Sequence, residues 1–218
     1  MKFPAALAIA SFIFAAVGTA DPLKWENDIA AFEKADRENP QQKGGVVFTG
    51  SSSIRRWKSL AEDFAGYRVL NRGFGGSQME DSVAFADRTV VPHEPATVVI
   101  FAGSNDINAG KTPERVAEDF KAFVEKVRAK LPKTEICFLE ITSSPSRWKQ
   151  RETVITANKL IRAFCEQTPG VKFIAVREKL LGANGEPRAD LFGSDHLHPN
   201  AAGYKILADA IRPFLPKQ

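Results

Sequence analysis

Short apolar runs alternate with longer amphipathic stretches along most of this chain. The runs predict β-strands at residues 46–49, 67–70, 97–101, 135–141 and 172–176. The stretches between them carry apolar residues at the 3.6-residue spacing of helices. Because such alternation is typical of right-handed βαβ units around a parallel sheet, the pattern predicts one α/β domain. We expect a three-layer α/β/α sandwich built on a five-stranded parallel sheet.

Three helices can be placed from their end signals or their amphipathic pattern. The clearest follows Thr112-Pro113-Glu114, which provides an N-cap, a first-turn proline and an acidic residue at the positive end of the helix dipole. Its apolar face predicts core packing by Val116, Phe120, Phe123, Val124, Val127 and Leu131. An additional amphipathic helix is predicted from Trp25 to Arg37. The last helix is predicted to start at Pro199, with inward-facing residues Tyr204, Leu207, Ile211 and Phe214.

The first twenty residues differ in character from the rest of the chain. Lys2 gives a positive start, residues 5–17 are apolar, and Gly18-Thr19-Ala20 offers small residues. This is the pattern of a secretory signal peptide, and its apolar part is too short for a membrane span. We therefore expect cleavage after Ala20, a mature single domain at residues 21–218, and a secreted or periplasmic protein without stable membrane insertion. An uncleaved anchor is the alternative.

Charge and cysteine content restrict the remaining classes. The formal net charge is only +4, and no run of Lys and Arg is interleaved with aromatic residues. Nucleic-acid binding is therefore not expected. Cys137 lies in an apolar run and Cys165 on the apolar face of a helix. An oxidising compartment would permit a disulfide, but two buried free thiols are the favoured interpretation.

Candidate catalytic chemistry lies near the C-terminus, in Asp195-His196-Leu197-His198. The chain has three histidines, and a neutral imidazole is the usual proton acceptor near pH 7. A carboxylate three residues upstream can fold back onto the far ring nitrogen and orient the ring. The spacing favours His198 over His196 as the base. His93, flanked by Pro92 and Pro95, is expected to be an exposed loop residue.

A candidate nucleophile follows the first predicted strand, which ends in Gly50-Ser51-Ser52-Ser53. A glycine directly after a strand lets the chain turn sharply and lift the following hydroxyls above the sheet edge. The competing interpretation is that these serines only cap a helix beginning near Ile54, because serine is a favoured N-cap.

Four ordered blocks of the chain resemble the SGNH hydrolases, also called GDSL-type esterases and lipases. Gly50-Ser51-Ser52 is similar to the Gly-Asp-Ser block, with Ser51 in place of the aspartate. The second block is a glycine after the next strand and selects Gly76, with Gly75 as the alternative and Gly73 as a turn residue. Gly103-Ser104-Asn105-Asp106 matches Gly-x-Asn-Asp, and Asp195 to His198 matches Asp-x-x-His.

The resemblance implies a fold, an activity and roles for these residues. The fold would be the flavodoxin-like SGNH arrangement with strand order 2-1-3-4-5. Ser52 would be the nucleophile, His198 the base and Asp195 the residue that orients it. The oxyanion hole would be formed by the Ser52 and Gly76 backbone N–H groups and the Asn105 side chain. Asn105-Asp106 could instead form an Asx-turn that closes the loop before the next helix, and Asp106 is expected to be structural. No metal or organic cofactor would be required.

The substrate is less constrained than the chemistry. Trp57, Phe74, Arg147 and Trp148 are candidate substrate-binding residues because they lie near the blocks or in an active-site loop; Trp148 could equally seal the start of the following helix. A small-molecule or carbohydrate ester with a short acyl group, such as O-acetyl, is the first expectation. Lysophospholipid or thioester hydrolysis, O-acyl transfer to cell-surface carbohydrate, and a silent carbohydrate-binding protein are the alternatives. The oligomeric state stays open.

Overall fold

A computed structural model describes residues 23–216 of the chain. It contains five strands: β1 Val46–Gly50, β2 Val69–Gly73, β3 Thr97–Phe101, β4 Glu135–Leu139 and β5 Val171–Ile174. Its α-helices are α1 Glu26–Glu38, α2 Ser52–Arg55, α3 Leu60–Asp63, α4 Met79–Thr89, α5 Ser104–Asn108, α6 Pro113–Lys130, α7 Arg151–Gln167 and α8 Ala201–Ile211. The predicted signal peptide lies outside the described residues.

All five strands form one parallel sheet in the order β2-β1-β3-β4-β5. The predicted fold class and strand order are therefore confirmed. The second strand was predicted at residues 67–70 and is found at Val69–Gly73. Its register on β1 begins with Val46 opposite Val69, so Tyr67 lies before the strand and packs against the core.

The sheet is buried on both faces because successive strand residues point to opposite sides. Val47 belongs to a core that α4, α6 and α7 cover, whereas Val46 and Phe48 belong to a second core covered by α2, α3 and α8. Cys165 lies in the first core and Cys137 in the second. Both thiols are free and buried, as predicted, and the sheet separates the layers that contain them.

The end signals of the long helices behave as expected, with one exception. Thr112 caps α6, since its hydroxyl accepts a hydrogen bond from the Arg115 backbone N–H at 3.2 Å. The last helix was predicted to start at Pro199, which is wrong by two residues. Asn200 is the N-cap, accepting from the Gly203 backbone N–H at 3.1 Å, while Pro199 pairs with Phe192 in an isolated bridge.

The additional helix α1 packs over the second block through a small separate core of Trp25, Ile29, Phe74 and Phe85.

His93 was predicted to be an exposed loop residue, and this is wrong. Its ring is 7% exposed and lies 3.5 Å from an Asp36 carboxylate oxygen, beside the ion pair of Arg72 with Asp36. Burial and the nearby Arg72 charge lower the pKa of His93.

Among residues 23–216, each helix is too short or too polar to span a lipid bilayer.

Candidate active site

The turn after β1 places Ser52 at the sheet edge. Gly50, the last residue of β1, has φ of +119°, and a Cβ atom there would lie 2.1 Å from the Phe101 carbonyl oxygen. Only glycine fits a left-handed conformation in such close contact with a neighbouring strand. Ser51 then returns to extended backbone, and Ser52 begins α2. The hydroxyl of Ser52 is thereby raised beyond the carboxyl end of the strand.

Ser52, His198 and Asp195 are brought together by this geometry. The Ser52 Oγ and His198 Nε2 atoms are 2.7 Å apart, and His198 Nδ1 lies 2.7 Å from Asp195 Oδ2. Since a carboxylate oxygen only accepts hydrogen bonds, Nδ1 carries the proton and Nε2 is free to accept from the serine hydroxyl. The arrangement can take a proton from Ser52 and return it to a leaving group.

The Asp195 carboxylate is fixed by several donors. Its Oδ1 atom accepts hydrogen bonds from the backbone N–H groups of Leu197 and His198, both at 3.0 Å. The His198 backbone and side-chain hydrogen bonds, aided by the Leu197 N–H, hold the pKa of Asp195 well below its usual range. Asp195 therefore stays charged down to low pH, and its carboxylate keeps the imidazole ring of His198 in one tautomer.

Arg56 is a site residue that the sequence analysis missed. Its Nη1 atom donates to Asp195 Oδ2 at 2.8 Å and lies 2.9 Å from His198 Nδ1. The two nitrogens are close because both donate to the same oxygen. A signal for this contact was present in the sequence, since Arg56 follows Ser52 by four residues and such residues lie on one side of a helix.

The three proposed oxyanion donors lie around one cavity of about 500 Å³, which Ser52, Gly76, Asn105 and His198 all help to line. Asn105 Nδ2 donates one hydrogen bond to the Ser77 carbonyl at 2.9 Å, which fixes the amide and leaves its second N–H available. Gly76 has φ of +81°, which favours glycine. Gly75 lines the same cavity, so the choice between the two glycines stays open.

Asp106 fixes the loop that carries the second block. The Met79 backbone N–H lies 3.0 and 3.1 Å from the two carboxylate oxygens of Asp106, and Lys111 Nζ lies 3.2 Å from one of them. The Asp106 side chain is completely buried. These contacts agree with the structural role expected for it, because they tie the start of α4 to the residue after Asn105.

Two competing interpretations of the blocks find no support. Ser51 is the N-cap residue of α2 but makes no side-chain capping hydrogen bond, and Ser52 instead contacts the imidazole of His198. His196 is exposed and has a left-handed backbone with φ of +52°. Its carbonyl accepts a hydrogen bond from the Ser146 N–H at 3.0 Å, so its place in the site is that of a loop residue.

Two of the candidate substrate-binding residues were assigned wrongly. Trp57 is 2% exposed, stacks on Tyr204 with ring centroids 4.8 Å apart, and donates its indole N–H to Asp63 at 2.7 Å. Phe74 is fully buried between Trp25 and Phe85. Both rings belong to the hydrophobic core, because closeness to a motif in sequence does not determine which way a side chain points.

The other two candidates differ from each other. Arg147 lines the cavity beside Ser52, and its Nη1 atom donates to Ser104 Oγ at 2.8 Å. Trp148 instead packs against Arg151 at the start of α7, with the guanidinium 5.3 Å from its ring centre. Trp148 thus takes the alternative place considered for it, at the beginning of the following helix.

Comparison with known proteins places the chain in a family. The GDSL-like Lipase/Acylhydrolase family matches residues 41–206, which is most of the chain. The chain belongs to this family. The match covers all four blocks and agrees with the SGNH resemblance seen in the sequence. GDSL-like acylhydrolases are hydrolases that act on esters, and we describe the chain as one from here on.

Individual relatives of this GDSL-like acylhydrolase come from distant organisms. The human platelet-activating factor acetylhydrolase IB subunit alpha1 is 27% identical over 183 residues, covering 78% of this chain and 74% of the relative. A Streptococcus pneumonia structure assigned as a platelet activating factor has a TM-score of 0.78 at 21% identity, covering 89% of this chain and 94% of that one. A mutant of an acetyl-xylooligosaccharide esterase from Geobacillus Stearmophilus has a TM-score of 0.65 at 16% identity, with coverage of 81% and 96%. These structural likenesses concern the fold.

Proposed function

We propose that this GDSL-like acylhydrolase is an extracytoplasmic serine esterase that hydrolyses short-chain carboxylic esters through Ser52, His198 and Asp195. One observation carries the proposal: the 2.7 Å contact between Ser52 Oγ and His198 Nε2, with Asp195 bound to the opposite ring nitrogen. A serine hydroxyl is a weak nucleophile until a base accepts its proton. The contact with Ser52 supplies the base, and the contact with Asp195 fixes the tautomer and orientation of that base.

The reaction would proceed in two acyl-transfer steps. Ser52 Oγ attacks the ester carbonyl carbon while His198 Nε2 takes the hydroxyl proton. When the tetrahedral intermediate collapses, the bond to the alcohol breaks and His198 gives the proton to the leaving oxygen. Water then repeats the sequence on the acyl-enzyme, releasing the carboxylic acid and restoring Ser52. Asp195 remains a carboxylate throughout and stabilises the imidazolium.

Negative charge on the carbonyl oxygen would be met by three N–H donors. The Ser52 N–H is at the first residue of α2, where a helix provides no internal acceptor. Gly76 and Asn105 line the cavity beside Ser52, and the Gly76 N–H and the second N–H of the Asn105 amide are the donors we assign to it. Removal of one such donor typically costs about 2.7–4 kcal/mol of transition-state stabilisation.

Two observations support a short acyl group. A second, narrow cavity of about 20 Å³ adjoins Ser52, bordered by Phe101, Thr142 and Leu197. We take this cavity to hold the acyl group; its volume is close to that of one water-sized group and would admit only a short chain. In addition, the names of two relatives specify acetyl esters, one of them on a xylooligosaccharide. We therefore favour O-acetyl groups, including those carried by carbohydrate.

The extracytoplasmic location rests on the N-terminal pattern, a positive start followed by a short apolar stretch and small residues ending at Ala20. Protein expressed with its own leader and recovered from the periplasm or medium should begin at Asp21. Recovery only from the cytoplasm, with Met1 retained, would contradict this part of the proposal.

The proposed activity can be tested with p-nitrophenyl acetate, butyrate and octanoate. We expect kcat/KM to be highest for acetate and to fall with chain length, because the acyl cavity is narrow. In Ser52→Ala, kcat should fall by on the order of 10⁶-fold, as for other serine hydrolases that lose the nucleophile.

Ser53→Ala is the matched control, since it removes a neighbouring hydroxyl and leaves the Ser52–His198 contact in place. It should keep activity of the same order as the wild type, and circular dichroism should be unchanged in both variants. Undiminished hydrolysis by Ser52→Ala would refute the nucleophile assignment. Faster hydrolysis of octanoate than of acetate would refute the short-acyl specificity.

A further inference from the structure

The cavity of about 500 Å³ beside Ser52 is strongly cationic. Among residues 23–216, none of those that line it is Asp or Glu, and four are basic: Arg55, Arg56, Lys58 and Arg147. The chain as a whole carries nearly balanced charge, with 30 basic and 26 acidic residues. Such a concentration of one sign at the mouth of a site attracts ligands of the opposite sign.

Arg147 is the innermost of these cations. It is half-buried, and within the described part of the chain its side chain donates one hydrogen bond, to the Ser104 hydroxyl at 2.8 Å. Within residues 23–216, no carboxylate lies within 4 Å of its guanidinium nitrogens. Burial lowers the pKa of Arg147 without an acidic neighbour to raise it. Since a guanidinium has five N–H donors, Arg147 keeps donors for a ligand.

Arg147 lies beside the proposed reaction centre. Ser104, which holds the guanidinium, precedes the proposed oxyanion donor Asn105 in the chain. Arg147 also lines both the narrow cavity and the wider one, and Ser52 and His198 line both as well. An ester bound at Ser52 would therefore place one side of its alcohol portion next to this charge.

The outer cations are only partly neutralised. Arg55 lies 3.4 Å from Asp28, and Arg56 donates to Asp195 at 2.8 Å. Both arginine side chains are more than half exposed. These ion pairs therefore leave part of each positive charge free to attract a ligand in the cavity. Lys58 is exposed and forms no ion pair among the described residues.

We propose that the wider cavity selects esters whose alcohol portion carries a carboxylate, with Arg147 as the residue that binds it and Arg55, Arg56 and Lys58 as the surrounding positive field. An acetylated sugar acid has this chemistry. The planar fork of a guanidinium matches a carboxylate with two parallel hydrogen bonds. The inference rests on the proposed esterase function and names the substrate class for that same site.

The test compares two nearly isosteric acetyl esters, 4-acetoxybenzoate and 4-acetoxybenzamide, which differ in the charge of the alcohol portion. Rates are divided by the hydroxide-catalysed rate of each ester to remove intrinsic reactivity. We expect the wild type to favour the benzoate by at least about tenfold in kcat/KM at low salt, the effect of one well-formed charge contact. This preference should shrink as NaCl rises from about 20 to about 500 mM, because salt screens partly exposed charges.

Arg147→Met should lower the benzoate-to-benzamide ratio about tenfold, and Arg147→Lys should lower it less. Lys149→Met is the matched control: it removes the same charge two residues away, from an exposed side chain that does not line the cavity. Its ratio should equal that of the wild type. Inhibition of the wild type by 4-hydroxybenzoate, compared with 4-hydroxybenzamide, gives a readout that needs no variant.

Each outcome separates the inference from the esterase function. If the wild type hydrolyses both esters at equal corrected rates and 4-hydroxybenzoate inhibits no better than the amide, the carboxylate specificity is wrong while the esterase function stands. If Arg147→Met loses activity on both esters equally, Arg147 serves the reaction centre and the specificity is again wrong. If folded wild type hydrolyses neither ester, the esterase function fails, and the inference fails with it.

Discussion

The Asp195 carboxylate is held in place by four hydrogen bonds. One oxygen of its carboxylate accepts two backbone N–H groups, and the other accepts from His198 Nδ1 and Arg56 Nη1. These contacts are satisfied only by a charged carboxylate, which explains its depressed pKa. Ser52, His198 and Asp195 could be selected from residue type and spacing. Arg56 follows Ser52 by four residues, which was a usable signal, but its contact with Asp195 also requires the Asp195 turn to pack beside the end of α2.

Asp195→Asn should reduce kcat by on the order of 10⁴-fold, because an amide can hold the imidazole in the wrong tautomer. It should also change the pH dependence of stability. The folded pKa of Asp195 lies below its unfolded value of about 3.9. Its contribution to the free energy of unfolding is therefore fully present above the unfolded pKa and is lost as pH falls through the folded pKa. Urea titrations should show a larger stability difference between wild type and Asp195→Asn at pH 6 than at pH 3. An equal difference at both values would contradict this assignment.

The strand-to-helix turn at the end of β1 is the element on which the site depends. Gly50 opposes Phe101 across the β1–β3 pairing, and the close approach of the two backbones leaves no space for a side chain. The sequence predicted this turn from a glycine after an apolar run, and the prediction of five strands was confirmed. Element ends were less accurate, at β2, β4, β5 and α8, because pairing register and a side-chain cap determine them.

Gly50→Ala should lower the free energy of unfolding by at least about 3 kcal/mol, combining a left-handed backbone with a steric clash. Gly110→Ala is a matched control, since Gly110 also has a positive φ, of +89°, but nothing within 4 Å of the added Cβ. The control should cost only about 1–2 kcal/mol. Chemical denaturation measures the free energy of unfolding of both variants. Equal losses of stability in the two variants would contradict the prediction, because they would mean that the clash with the Phe101 carbonyl costs nothing.

At the scale of the whole molecule, the parallel sheet brings together residues that are distant in sequence. Ser52, Gly76 and Asn105 all follow carboxyl ends of neighbouring strands, and the Asp195–His198 turn reaches them from the far end of the chain. Ligands of open α/β sheets bind at this edge. Topology therefore predicted where the backbone segments converge.

The directions of side chains were beyond sequence reasoning. Trp57 and Phe74 lie close to the first and second blocks in sequence, yet both side chains point into hydrophobic cores. His93, between two prolines, is buried beside Asp36 because α1 packs over it, a long-range contact that no local pattern encodes. Arg147 was a candidate in sequence, but the cationic cavity it lines is assembled from five separate segments of the chain.

The most direct test of the central claim is covalent labelling of the folded protein with a fluorophosphonate, followed by peptide mapping. An activated serine beside a base should react, and the account predicts a single adduct on Ser52 that is lost in Ser52→Ala and strongly slowed in His198→Ala. Ser53→Ala should label at the wild-type rate. No adduct on Ser52 in the wild type, or undiminished labelling in His198→Ala, would contradict the account.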